Sequence, residues 1–126
     1  MQGGPNWVGN YVDAPIIVNS RTGEYYKQPM YYALGHFSKF LTPGSVKIGP
    51  TTERSADLFQ TTAFLRPDGG TVVIALNLGD DFVELTIKDS NEKLSHLVKP
   101  RSMQTYIYYR NSRRGPRSKR GRRVKG

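Results

Sequence analysis

The strongest constraint on the fold is a change of hydrophobic period at residues 42–44. Before this point, apolar residues recur at three- and four-residue spacing from Met30 to Leu41, behind a proline that suits a first helical turn. The pattern predicts an amphipathic helix over 29–40, ended by Thr42, Pro43 and Gly44. Beyond residue 44 the sequence shows no further helical pattern.

Six short runs of β-forming residues follow, separated by residues typical of turns. Alternating apolar and polar residues over 82–88 predict a strand with one buried face, whereas the continuous apolar run over 72–76 predicts a strand covered on both faces. We predict an antiparallel meander with strands at 45–48, 58–66, 71–78, 82–88, 93–99 and 103–109.

A single helix followed by a β-meander does not by itself form one of the layered arrangements from which domains are built. We predict that residues 1–27 are loop and extended chain, with one apolar run over 15–18. The loop that includes Trp7 places a large aromatic ring beside the first residue, where nothing precedes it to receive the ring. We therefore expect further structure upstream of Met1.

The positive charge is concentrated at the C-terminal end. The formal net charge is +9, from 19 Lys and Arg against 10 Asp and Glu. Nine of the basic residues and none of the acidic ones lie in 110–126, which leaves ten of each in 1–109. A segment dominated by Arg, Lys, Gly, Pro and Ser cannot bury enough apolar surface to fold, so we predict a disordered basic tail over 110–126.

The sequence also argues against several kinds of site. It contains no cysteine, which excludes disulfides and thiolate metal sites. His36 and His96 lie in different predicted elements without metal-ligand spacing, so we interpret them as structural and predict neither a metal nor a cofactor. No run approaches the roughly 18 apolar residues of a membrane helix, and the sequence has no signal-peptide pattern.

Five blocks of sequence carry a family resemblance. They are GGPNWV at 3–8, DAPIIV at 13–18, YKQPMYY at 26–32, LGHFSKF at 34–40 and LTIKD at 85–89. In this order they resemble the C-terminal part of the glucosylceramidases, the lysosomal acid β-glucosidases of glycoside hydrolase family 30. The resemblance covers about residues 2–109.

The resemblance implies a mainly β fold, in which an antiparallel β-sandwich side domain follows the last loop and helix of a (β/α)8 barrel. Residues 1–44 would be the remnant of the last β/α unit, 45–109 the C-terminal share of the sandwich, and 110–126 a tail beyond the point where relatives end. Loops at the C-terminal ends of barrel strands build the active site, so residues 7–11 should belong to its rim.

The same resemblance implies the site residues. Trp7, Asn10 and Tyr11 are the substrate-binding candidates, because this loop lines the entrance to the glucose site in the family; an indole face suits a sugar or acyl chain, and an amide suits sugar hydroxyls. The two catalytic glutamates of the family would lie upstream of Met1, so we predict no catalytic residue in this chain.

We interpret the other acidic and aromatic residues as structural rather than functional. Asp13 and Glu24 flank the loop but match neither catalytic motif, and the adjacent Asp80 and Asp81 are typical of a hairpin turn. We expect the tyrosines at 25, 26, 31 and 32 to pack against the barrel rather than to form a carbohydrate platform.

We interpret the chain as the C-terminal fragment of a glucosylceramidase-like retaining β-glucosidase, inactive alone. The resemblance implies sphingolipid metabolism, in which glucosylceramide is hydrolysed to glucose and ceramide, a lysosomal location, and glucosylceramide or another β-glucoside as a partner only in the full enzyme. The alternative is a free-standing, non-catalytic β-domain that binds protein or anionic surfaces through its tail. In either case we expect weak polyanion binding by the tail; nucleic-acid binding would rest on the tail alone, which has no aromatic residue for base stacking.

Overall fold

The computed structural model describes residue 9 and residues 12–49, 58–89 and 92–110. Its pairings are all antiparallel, and one helix accompanies the strands, which confirms the predicted mainly β class. The elements in chain order are β1 (Ile16–Asn19), β2 (Glu24–Lys27), α1 (Pro29–Ser38), β3 (Val46–Ile48), β4 (Phe59–Leu65), β5 (Gly70–Asn77), β6 (Val83–Asp89), β7 (Glu92–Val98) and β8 (Ser102–Tyr109).

The strand order corrects the predicted meander. Strands β3, β4, β5 and β8 form one sheet in that order, whereas β6 and β7 pair only with each other. A continuous apolar run requires both faces of β5 to be covered but does not determine which strands lie at its edges. In the structure, β8 occupies the edge that a meander would give to β6. The β6–β7 hairpin has one apolar face, so it packs on the sheet instead of extending it.

The register assigns each side chain of β5 to one of two faces of the four-stranded sheet. Val72, Ile74 and Leu76 point to the helix face, on which α1 packs, with the rings of Phe37 and Phe64 6.5 Å apart and nearly perpendicular. Val73 points to the opposite, hairpin face. There β7 packs on the sheet.

Burial follows from this three-layer arrangement. The core side chains come from β4, β5 and the end of β7, and they are Ala63, Val72, Val73, Ile74, Ala75 and Val98. Strand β5 is buried along almost its whole length, which confirms the prediction of a strand covered on both faces.

The segment ahead of the sheet is more regular than predicted. Residues 16–19 and 24–27 form a hairpin in which Ile17 lies opposite Tyr26, and the turn closes with the Gly23 amide donating to the Asn19 carbonyl at 2.9 Å. The prediction of loop and extended chain missed β2 because its residues are all exposed and show no alternation.

The helix matches its prediction in its start and nearly in its end. Pro29 is its first residue and Ser38 its last, after which the Leu41 amide donates to the Phe37 carbonyl at 2.9 Å. Gly44 has a φ of +84°, the left-handed backbone that ends such segments at glycine. No helix within the described ranges is long and apolar enough to span a membrane. The predicted tail from residue 111 onward lies outside the described residues.

Candidate functional site

The predicted rim loop leads into the described structure at Val12. Trp7, Asn10 and Tyr11, the substrate-binding candidates, lie outside the described residues, so their positions stay predictions. Gly9 is described and exposed, with a φ of +80° that side-chain-bearing residues rarely adopt. A glycine therefore suits this point of the loop, and a larger residue here would strain the backbone.

Glu24 is the carboxylate nearest to the loop that has defined partners. Its Oε2 accepts hydrogen bonds from the hydroxyl of Tyr26 at 2.8 Å and from that of Thr22 at 2.9 Å. These donors, Tyr26 foremost, lower the pKa of the exposed Glu24 carboxyl. A general acid needs the opposite, a raised pKa, so this geometry argues against Glu24 as a general acid.

Asp80 and Asp81 accept hydrogen bonds at one end of the sandwich. Asp80 accepts two hydrogen bonds from Arg101, at 2.8 Å from Nε and 3.1 Å from Nη2, and these bonds lower the pKa of its carboxyl. The Asp81 backbone carbonyl accepts a hydrogen bond from the Asn77 side chain at 2.8 Å. Asp80 therefore contacts the turn before β8 and Asp81 the end of β5, as expected of turn-forming residues.

The two histidines lie on opposite faces of the four-stranded sheet. The His36 Nδ1 and the Thr105 hydroxyl oxygen are 2.7 Å apart, a hydrogen bond that joins α1 to β8. The His96 ring packs against Tyr106 on the hairpin face, with ring centres 5.6 Å apart. Among the described residues, no group of three His, Cys, Asp or Glu side chains is placed to hold a metal ion.

An exposed aromatic surface covers the start of α1 and the strand before it. Tyr31 and Tyr32 meet edge to face at 5.3 Å, and the Lys27 ammonium lies 4.8 Å from the centre of the Tyr31 ring. Tyr25 and Tyr32 are 63% and 60% exposed. Rings held this way can contact an apolar partner.

Two open clefts flank the helix. One, of about 600 Å³, lies between the first turns of α1 and the adjacent ends of β5 and β8, with Lys27 and Arg101 among its lining. The other, of about 610 Å³, is the outer groove of α1, and it is lined by Tyr31, Tyr32, Leu34, Gly35, His36, Ser38, Lys39 and Phe40. The sequence pattern identified the helix but not this groove, whose only sequence signal is a glycine between large residues.

Two family models match the chain in succession. The glycosyl hydrolase family 30 TIM-barrel domain matches residues 1–41, and the glycosyl hydrolase family 30 β-sandwich domain matches residues 44–106. The boundary between the two matches falls at the change of hydrophobic period.

Two individual proteins are also similar to this chain. Lysosomal acid glucosylceramidase of Mus musculus is 48% identical over 110 residues, which are 86% of this chain and 21% of the mouse protein. An endo-1,6-β-D-glucanase of Aspergillus fumigatus is 33% identical over 112 residues, 84% of this chain and 23% of the fungal protein. The chain thus spans about a fifth of the curated relatives it matches.

A solved structure shares the fold. SrfJ from Salmonella typhimurium superposes with a TM-score of 0.78 at 23% sequence identity, over 87% of this chain and 24% of that one. At this identity the likeness concerns the fold alone.

Proposed function

The chain belongs to glycosyl hydrolase family 30, and from this premise we propose that it supplies the C-terminal portion of a retaining β-glucosidase that hydrolyses glucosylceramide in the lysosome. We assign residues 1–44 to the last β/α unit of the barrel and 45–109 to the sandwich. The proposed substrate rests on sequence identity, which is 48% to the mouse lysosomal acid glucosylceramidase and 33% to the fungal 1,6-glucanase.

In this proposal the chain binds substrate and other residues of the enzyme carry out the chemistry. Retention requires a nucleophile and a proton donor, with carboxyl groups about 5 Å apart. Among the described carboxyls, Glu24, Asp68 and Asp80 have lowered pKa values because nearby donors stabilise their charged forms, which is the opposite of what a general acid needs. Following the family resemblance, we assign the catalytic pair to the barrel of the enzyme, while Trp7, Asn10 and Tyr11 contact the sugar at the rim.

A chimera tests the proposal. The 110-residue matching segment of the mouse enzyme is replaced by the corresponding part of this chain, and hydrolysis of glucosylceramide is compared with hydrolysis of a β-1,6-glucan. We expect the chimera to hydrolyse glucosylceramide and the isolated chain to be inactive. Within the chimera, Trp7→Ala and Asn10→Ala should each lower kcat/KM roughly tenfold, since each removes a contact worth about 1.4 kcal/mol to the transition state.

Leu97→Ala is the matched control, because Leu97 is exposed on the outer side of β7, away from the sheet. Two results would contradict the proposal. One is a chimera that hydrolyses the β-1,6-glucan and not glucosylceramide. The other is turnover by the isolated chain that Asp13→Asn or Glu24→Gln abolishes, which would place the catalytic carboxylates in this chain.

A further inference from the structure

The cleft of about 600 Å³ beside the first turns of α1 lies where the two family matches meet, and we call it the boundary cleft. One wall comes from residues 27–36, within the segment that matches the barrel domain. The other wall comes from residues 76–78 and 101–103, within the segment that matches the sandwich domain. Small-molecule sites occur preferentially at domain interfaces, and this volume lies within their usual range.

The walls of the boundary cleft are mostly apolar and partly aromatic. The apolar residues are Pro29, Tyr32, Ala33, Leu76, Leu78 and Met103. The Tyr32 ring is mostly exposed, so it can pack against a second ring, and a methionine thioether also contacts aromatic rings favourably. An aromatic group therefore suits the interior of the cleft.

The charge of the lining is positive. Lys27 and Arg101 line the cleft, and no acidic residue is among the described residues that do so. The Lys27 side chain is exposed, with its ammonium 4.8 Å from the centre of the Tyr31 ring. Within the described structure no carboxylate forms an ion pair with it. The cleft thus offers an unpaired cation to an anionic ligand.

Arg101 is held in place before any ligand binds. Its φ is +50°, a left-handed conformation that residues with side chains rarely adopt and that clusters at ligand sites. Its amide donates to the Gly79 carbonyl at 3.1 Å, while Nε and Nη2 donate to Asp80. Among the described residues its Nη1 has no partner, so this nitrogen can donate to a ligand.

We propose that the boundary cleft binds a small aromatic anion, such as an aryl carboxylate. The ring packs beside Tyr32 and Met103, and the charge pairs with Lys27 first and with Arg101 second. A ligand placed this way contacts both family-matching segments and holds α1 against the turn between β7 and β8. The inference goes beyond the proposed function and does not depend on its substrate.

Calorimetric titration of the full chain is the first test. The probe is 2-naphthoate, whose carboxyl is ionised at pH 7, and we expect a Kd of about 1 mM or tighter. The uncharged 2-naphthylmethanol has the same rings and should bind about fivefold more weakly or worse. Lys27→Gln should weaken 2-naphthoate by a similar factor. Lys39→Gln is the matched control, because Lys39 is an exposed lysine of the same helical segment that lies outside this cleft.

Two further variants separate the cleft from the rest of the chain. Ala33→Phe should abolish saturable binding, because the larger side chain fills the cleft from α1. Replacing the eight basic residues of 111–126 with glutamine should leave the Kd unchanged, which excludes the basic segment as the binding site. If Ala33→Phe does not fold, Lys27→Gln decides the question, because Lys27 is exposed.

Thiol protection locates the ligand independently. The chain contains no cysteine, so Ser102→Cys in the cleft and Ser38→Cys outside it each introduce a single thiol. At ten times the Kd about nine-tenths of the sites are occupied, so maleimide labelling of position 102 should slow about tenfold. Position 38 should keep its rate.

Four results would each overturn the inference. They are no saturable binding of 2-naphthoate up to about 10 mM, equal affinities for 2-naphthoate and 2-naphthylmethanol, equal weakening by Lys27→Gln and Lys39→Gln, and labelling of position 102 that the ligand does not slow. Failure of the proposed function looks different, because a chimera that does not hydrolyse glucosylceramide leaves all four measurements unchanged.

Discussion

At the scale of single residues, Asn77 joins two segments through its side chain, the turn that follows β5 and the end of β7. Its side chain is fully buried, and its amide nitrogen lies 2.8 Å from the Asp81 carbonyl, 3.1 Å from that of Lys99 and 3.3 Å from that of Val98. Its oxygen accepts a hydrogen bond from the Gly79 amide at 3.0 Å. An amide has two N–H hydrogens, so at least one of them is shared between two carbonyls.

Asn77→Ala should lower the free energy of unfolding by about 2–4 kcal/mol, since it leaves the Gly79 amide, the buried Val98 carbonyl and two half-buried carbonyls without this partner. Chemical denaturation of the full chain measures the change. Gln60→Ala is the control, because Gln60 is an exposed polar residue on the same sheet, and its loss should change stability by about 0.5 kcal/mol or less. Similar losses for the two variants would show that the Asn77 hydrogen bonds are not stabilising.

No local feature of the sequence indicates this role. Asn77 follows an apolar run and precedes a turn, and an asparagine there is ordinary turn chemistry. Its importance depends on hydrogen-bond partners at the β7–β8 turn, about twenty positions further along the chain. A local sequence pattern cannot reveal such partners. The rim loop is the opposite case. The family resemblance identifies Trp7, Asn10 and Tyr11 as site residues, whereas their residue types alone indicate only a shaped loop.

At the scale of elements, periodicity located the strands but not their partners. The strand predicted at 71–78 is found at Gly70–Asn77, and the strand predicted at 82–88 at Val83–Asp89. The apolar pattern indicates which side of a strand is buried, but it carries no information on which strand lies beside it. The pairing of β5 with β8 and the separate β6–β7 hairpin therefore had to come from the structure.

Adjacent residues of β7 test the packing of this hairpin. Val98 is fully buried and lies opposite Val83, whereas Leu97 points to the other side and is mostly exposed. Val98→Thr should lower the free energy of unfolding by about 1–3 kcal/mol because it buries a hydroxyl with no partner provided for it. Leu97→Thr should change it by about 0.5 kcal/mol or less. Thermal or denaturant unfolding of both variants measures the difference, and the reverse order would show that β7 packs through its other face.

At the scale of the whole molecule, charge is separated along the chain. In the described structure the guanidinium groups of Arg66, Arg101 and Arg110 pair with Asp68, Asp80 and Asp89 at 2.7–2.8 Å. Residues 1–110 carry eleven basic and ten acidic residues, and residues 111–126 carry eight basic residues and no acidic one. Long-range attraction to polyanions should therefore come almost entirely from the last segment.

Retention on immobilised heparin tests this expectation. Because binding by phosphate or sulfate neutralisation releases counterions, affinity should fall at least about 100-fold between 50 and 200 mM salt. Deleting residues 111–126 should abolish retention, and so should replacing their eight basic residues with glutamine at constant length, which separates charge from chain length. If the shortened chain still bound heparin or nucleic acid, recognition would lie on the nearly neutral body. That result would favour the alternative of a free-standing binding module over a portion of a β-glucosidase, because a folded surface would then bind polyanions without the barrel.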